Sequence, residues 1–178
     1  MRKCVLFISA TILIVASLLM QAFAKDSRRN TVFIHTHKSL ITDTVPPTDV
    51  MEIVAAAIYS LNTFNIEKVA ILYTPNAVIA DDEPPYSWNG PTAGVQWVNA
   101  VEQACKDNGL KKLKGRIEAI NVFQQTTDNV YIVVPVSYSG ELQGKTHFTS
   151  RGAFTFVLRM INGRWMIKSQ AWMPKKGM

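Results

Sequence analysis

Asp81-Asp82-Glu83 forms the longest acidic run in the chain, directly ahead of Pro84-Pro85. The run offers carboxylates at the end of an apolar strand, and it suits a solvated acidic turn, because Asp is a common turn former. His35-x-His37 places two imidazoles at the spacing of one strand face. A catalytic zinc normally takes three protein ligands, and no third lies near in sequence, so no metal is expected. Cys105 falls with Val98 and Val101 on the apolar stripe of a helix, the place of a buried and inert thiol. No nucleotide, zinc, calcium or flavin motif occurs, and no cofactor is expected.

The elements that must position Asp81 follow from periodicity. Thr48 stands where it can cap a helix, with Asp49 and Glu52 in its first turn. Val50, Val54, Ala57, Ile58 and Leu61 then recur at helical spacing and demand a partner surface. Asn65 caps a shorter helix running to Tyr73, and Pro75-Asn76 ends it. Ala77 to Ala80 reads as a short strand delivering Asp81, with Tyr86-Ser-Trp88 as a hairpin arm beside it. Gly90-Pro91 opens a third helix, with Pro91 in the first turn, and Gly109 closes it.

Beyond Gly109 the pattern alternates, predicting four strands: 114–124, 129–138, 145–161 and 164–172. Pro135 implies a bulge or an edge in the second of these. Asn162-Gly163 between apolar runs is the preferred two-residue hairpin turn, and it sets a register. Ile161 faces Arg164, Met160 faces Trp165, Leu158 faces Ile167, Phe156 faces Ser169 and Phe154 faces Ala171. Where the two phenylalanines meet small Ser169 and Ala171, that register predicts a cavity. Helices first and an antiparallel meander after them give an α+β domain.

The chain begins as an exported one. Arg2 and Lys3 precede a charge-free, mostly apolar run of 16 residues, Val5 to Met20, and Ala22-Phe23-Ala24 supplies a small-x-small cleavage signal. Cleavage after Ala24 leaves 154 of the 178 residues and lowers the net charge from +6 to +4. Residues 25–46 read as a polar lead-in, 47–174 as one domain and 175–178 as a basic tail. Loss of Cys4 with the signal leaves Cys105 alone, so the mature chain forms no internal disulfide. The expected location is secreted or periplasmic, with no membrane attachment after cleavage. The mild, scattered basic excess lacks the aromatic-interleaved stripe of a nucleic-acid partner.

The order helix, short helix, strand, arm, long helix and four strands resembles the nuclear transport factor 2-like superfamily, which includes ketosteroid isomerase and SnoaL-type cyclases. The resemblance is carried by Ile58 to Val69, Leu72 to Asp81, Trp88-Asn-Gly-Pro and Phe154 to Trp172, within residues 47 to 173. It implies a cone-shaped α+β fold with three helices on a curved, mainly antiparallel sheet, a pocket at the open end, and dimerisation through the sheet. Asp81 matches the place of the isomerase base, while the family's tyrosine donor falls on Ala57 and its acidic donor near Gly152 or Ala153. Tyr59, Tyr73, His147 and Arg151 are the substitutes available. Two function classes remain. One is a binding or assembly module whose pocket of Tyr59, Tyr73, Trp88, Trp97, Phe154, Phe156, Ser169 and Trp172 takes a small apolar or aromatic molecule. The other is an isomerase or lyase for a small carbonyl compound with Asp81 as base. Whether Asp81 points into a cavity with a donor opposite discriminates them, and an Asp81 that faces solvent excludes the second.

Overall fold

The computed structural model describes residues 45–120, 122–143 and 145–175. The export segment, His35 and His37, most of the lead-in and the last three residues lie outside the described residues. Helix α1 (Thr48–Tyr59) buries Val50, Val54, Ala57 and Ile58, the stripe its spacing demands. Its start is held differently from expectation. Thr48 is the first helical residue and caps nothing, since Pro47 holds the cap position without a side-chain bond. The Asp49 carboxylate takes over, accepting from the Val50 amide at 2.9 Å and from the Trp165 indole N–H at 3.0 Å. A 3₁₀ turn, Ser60–Asn62, ends the helix, and Asn62 Oδ1 accepts the Gly115 amide at 2.7 Å.

Asn65 caps α2 (Ile66–Ala70) as expected, accepting from the Lys68 amide at 3.0 Å. The helix stops three residues short of Tyr73, and strand β1 (Tyr73–Ala80) begins there instead. A turn in which the Leu72 amide donates to the Val69 carbonyl at 3.0 Å closes the helix there. Pro75 sits instead within the strand, in the irregular stretch between the Tyr73↔Ile167 and Val78↔Ser169 pairings. Strand β2 (Ser87–Asn89) folds back on β1 with Trp88 opposite Ile79, the expected arm. Helix α3 (Ala93–Asp107) follows, closed by Gly109 at φ +66°, which a glycine adopts without strain.

The remaining chain forms β3 (Leu110–Ile117), β4 (Val122–Gln125), β5 (Asn129–Leu142), β6 (Lys145–Ile161) and β7 (Arg164–Pro174). The seven strands make one sheet in the order β2-β1-β7-β6-β5-β3, with β4 also on β5, and only β1 and β7 run parallel. The single strand expected over 114–124 is therefore two. Both β3 and β4 pair with β5, and the break between them lies opposite Pro135. Proline has no amide to donate there, so the edge opens, and the Pro135 carbonyl is met by the Glu118 amide at 2.8 Å.

Helices cover one sheet face. Val130, Ile132, Val134, Val136 and Tyr138 of β5 alternate into the core and meet Phe154, Phe156 and Leu158 of β6. The Asn162-Gly163 hairpin sets Ile161↔Arg164, Met160↔Trp165 and Leu158↔Ile167, as expected. The register then shifts. An extra residue on β7 between Ile167 and Ser169 makes Phe156 face Gln170 and Phe154 face Trp172, while Ser169 pairs with Val157. The bulge leaves charged Lys168 in solvent and turns the large Trp172 ring inward in place of Ala171. A cavity made by Ser169 and Ala171 is thereby excluded, because both residues lie on the outer face.

Candidate functional site

Asp81 sits at the end of β1, and its amide donates to the Tyr86 carbonyl at 3.0 Å, so the acidic run turns back on the β2 arm. The side chain points inward. Its Oδ2 accepts the indole N–H of Trp97 at 2.8 Å, and its Oδ1 accepts the Asp82 amide at the same distance. Trp97 itself is only 1% exposed, which places that carboxylate oxygen against the core. Burial pushes the Asp81 carboxyl above its ordinary value; the Trp97 bond opposes this, and the side chain of Asp82 reinforces it. Of the two readings of the acidic run, the solvated turn fits Glu83, which is exposed, and not Asp81.

From Trp97 an aromatic wall runs across the inner sheet face. Trp97 meets Phe154 edge to face at 5.9 Å, Phe154 meets Trp172 at 4.7 Å, and Trp172 meets Tyr138 at 5.7 Å. Phe156 continues it beside Phe154 at 5.7 Å. Two glycines make room for these rings. A methyl at Gly115 would lie 2.8 Å from the Tyr138 ring, and one at Gly152 would lie 2.5 Å from the Trp172 ring. The place expected for the family's acidic donor was near Gly152 or Ala153, and the Trp172 indole lies against Gly152.

Polar groups collect behind this wall. The Tyr73 hydroxyl donates to Gln170 Oε1 at 2.6 Å, and both residues are buried. Among the described residues, two buried atoms of this interior have no hydrogen-bond partner, the Tyr138 hydroxyl and Gln170 Nε2. Unpaired buried donors are rare because each forfeits its hydration. Burial raises the Tyr138 phenol, and the negative charge of Asp81 raises it further; burial raises the Tyr73 phenol, and Tyr138 adds to that. The electrostatic influence connects Asp81 to Tyr138 and Tyr138 to Tyr73, and the hydrogen bond connects Tyr73 to Gln170. Both phenols stay protonated, and therefore remain donors, across the ordinary pH range.

The expected site residues separate accordingly. Tyr73, Trp97, Phe154, Phe156 and Trp172 share the interior with Asp81, and Trp88 is buried on β2 opposite Ile79. Tyr59 is 41% exposed on α1, and Ser169 stands on the outer sheet face; neither joins the cluster. His147 and Arg151 are exposed and supply no donor to Asp81. Ala57, at the place of the family's tyrosine donor, is fully buried. Sequence reasoning missed Tyr138 and Gln170. Tyr138 closes the inward alternation that begins at Val130, a signal present in the sequence, whereas Gln170 is turned inward by a bulge that no motif announces. Cys105 is buried, and burial followed by the Glu102 charge raises its thiol, which makes it a poor nucleophile. Among the described residues no group of three His, Cys, Asp or Glu is placed to hold a metal, and no helix is long and apolar enough to cross a membrane.

No protein-family profile matches the chain, and no curated protein matches it. Solved structures do. A nuclear transport factor 2-like superfamily protein from Salmonella enterica serovar Typhimurium aligns over 72% of this chain and 92% of its own, at 13% identity and a TM-score of 0.58. A hexachlorocyclohexane dehydrochlorinase from Novosphingobium barchaimii aligns over 73% and 90%, at 13% identity and a TM-score of 0.59. A nuclear transport factor 2-like protein with a cystatin-like fold from Novosphingobium aromaticivorans aligns over 73% and 82%, at 12% identity and a TM-score of 0.61. With its helices on one face of a seven-stranded, mainly antiparallel sheet, this chain has the nuclear transport factor 2-like α+β fold.

Proposed function

We propose that the protein is exported and takes a small, largely apolar carbonyl-containing molecule against the Trp97, Phe154 and Trp172 wall, with Asp81 as acid–base group and Tyr138 as donor. The observation that carries this reading is the pairing of a desolvated carboxylate with an unpartnered buried hydroxyl that feels its charge. That pairing supports an acid–base site over a plain binding module. Asp81 as the carboxylate removes a proton from the carbon beside the carbonyl. Negative charge then develops on the carbonyl oxygen, where Tyr138 O–H, and Gln170 N–H beside Tyr73, donate to it. The proton held on Asp81 returns to a second carbon in an isomerisation, or a leaving group departs in an elimination. The dehydrochlorinase among the solved structures supports the compatibility of this fold with the second outcome. Export rests on residues 1–24, and self-association through the outer sheet face, where Tyr131 and Met173 are exposed, is part of the same proposal.

The test is thermal stabilisation by a panel of steroids, cyclic enones and phenolics. Binders are expected to raise the melting temperature of the wild type and to lose most of that effect in Tyr138→Phe. A melting temperature unmoved by every compound would overturn the proposal.

A further inference from the structure

The outer sheet face carries a second polar site, remote in character from the aromatic interior. Strand register sets two cross-strand rows side by side: Arg116, Ser137 and Arg151 in one, Lys114, Ser139 and Thr149 in the next. Adjacent strands lie about 4.8 Å apart, so the two arginines flank Ser137 at a span of about 10 Å. Arg116, Ser137, Ser139, Thr149 and Arg151 line a groove of about 470 Å³, with Tyr138 and Ser150 completing its wall from β5 and β6. Cations gathered on one sheet face repel unless an anion lies among them. Glu118 supplies part of that charge, bonding Arg116 at 3.0 Å and accepting the Ser137 hydroxyl at 2.9 Å. Lys114, Arg116 and Arg151 together exceed it by two charges. Among the described residues Arg151 has no carboxylate within ion-pair distance.

We infer that this groove binds an oxyanion group, phosphate or carboxylate, carried on a small polar molecule, with Arg151 and Arg116 as the clamp and the Ser137, Ser139 and Thr149 hydroxyls on the carrier. An arginine fork matches such a group with two parallel N–H bonds, and hydroxyls suit polar carriers better than apolar ones. The groove volume falls within the range of small-molecule sites, about 300–1,000 Å³. Glu118 occupies part of the clamp through Arg116 and competes with the incoming anion.

Calorimetric titration of the purified protein with glycerol phosphate, glucuronate, inorganic phosphate and glucose tests the assignment. Saturable binding of at least one of the three anions is expected, and none of glucose. Arg151→Ala is expected to weaken the anion about tenfold or more, the loss of one charge-assisted contact. Glu118→Gln is expected to tighten it, an effect that a merely structural role for Glu118 would not produce. Both residues are surface groups, so the variants should melt near the wild-type temperature without ligand. Absence of saturable anion binding, equal binding of glucose, or affinities unchanged in both variants would overturn the inference.

Discussion

A half-buried carboxylate, proposed to act in its ionised form, sets stability against that function at one residue. The folded-state affinity of Asp81 for its proton is raised by burial. Its contribution to stability is therefore full below the ordinary carboxylate range and is lost as pH rises through the raised folded value. Asp81→Asn should melt at or above the wild-type temperature at neutral pH, and the difference should vanish on acidification, when the wild-type group is protonated; melting curves across pH check this. Tyr138→Phe removes a hydroxyl that has no partner, so stability should hold or rise by up to about 1 kcal/mol. Activity on a carbonyl substrate should fall by about a hundredfold, the cost of one oxyanion donor; denaturant unfolding and steady-state rates separate the two effects. Asp81 was legible in the sequence because a strand ending in an acidic residue has few places to go. That its charge reaches Tyr138 was not, because no fixed spacing links residues 81 and 138.

At the scale of elements, the hairpin turn and the bulge on β7 decide what faces the core. Asn162-Gly163 made the first three cross-strand pairs readable, since its positive φ angles of 51° and 75° are what those two residues favour. One extra residue, Lys168, then inverts the facing of everything after it. A bulge has no sequence signature of comparable strength, so Ser169 and Ala171 were expected to face Phe156 and Phe154, where Gln170 and Trp172 are found instead. Deleting Lys168 should restore the unbulged register and turn Trp172 and Gln170 outward. The expected loss is about 3 kcal/mol or more, comparable to truncating a core aromatic, and urea unfolding would show it; an unchanged midpoint would mean that the bulge does not hold Trp172 in place. The Asn65 cap was legible for a simpler reason, because it depends on the chemistry of a single residue; Pro135 signalled an edge, but the break falls in the facing strand and β5 itself runs on.

For the whole molecule, the change from helical to alternating periodicity near Gly109 already implied helices stacked on a meander, and the sheet order bears that out. The parallel pairing of β1 with β7 was not legible, as it joins segments almost a hundred residues apart. The export reading predicts that the protein recovered from the cell envelope or medium has the mass of a chain beginning at Lys25; recovery of the intact chain from the cytoplasm would contradict it. The claim that most depends on the interior as a unit, with aromatic wall, carboxylate and unpartnered donors together, is acid–base chemistry. Its most direct measurement is deuterium exchange at the carbon beside the carbonyl of cyclic ketones in heavy water, followed by proton NMR. The account predicts that the wild type exchanges at least one such ketone about a hundredfold faster than Asp81→Asn does, and exchange no faster than in buffer for every ketone shown to bind would contradict it.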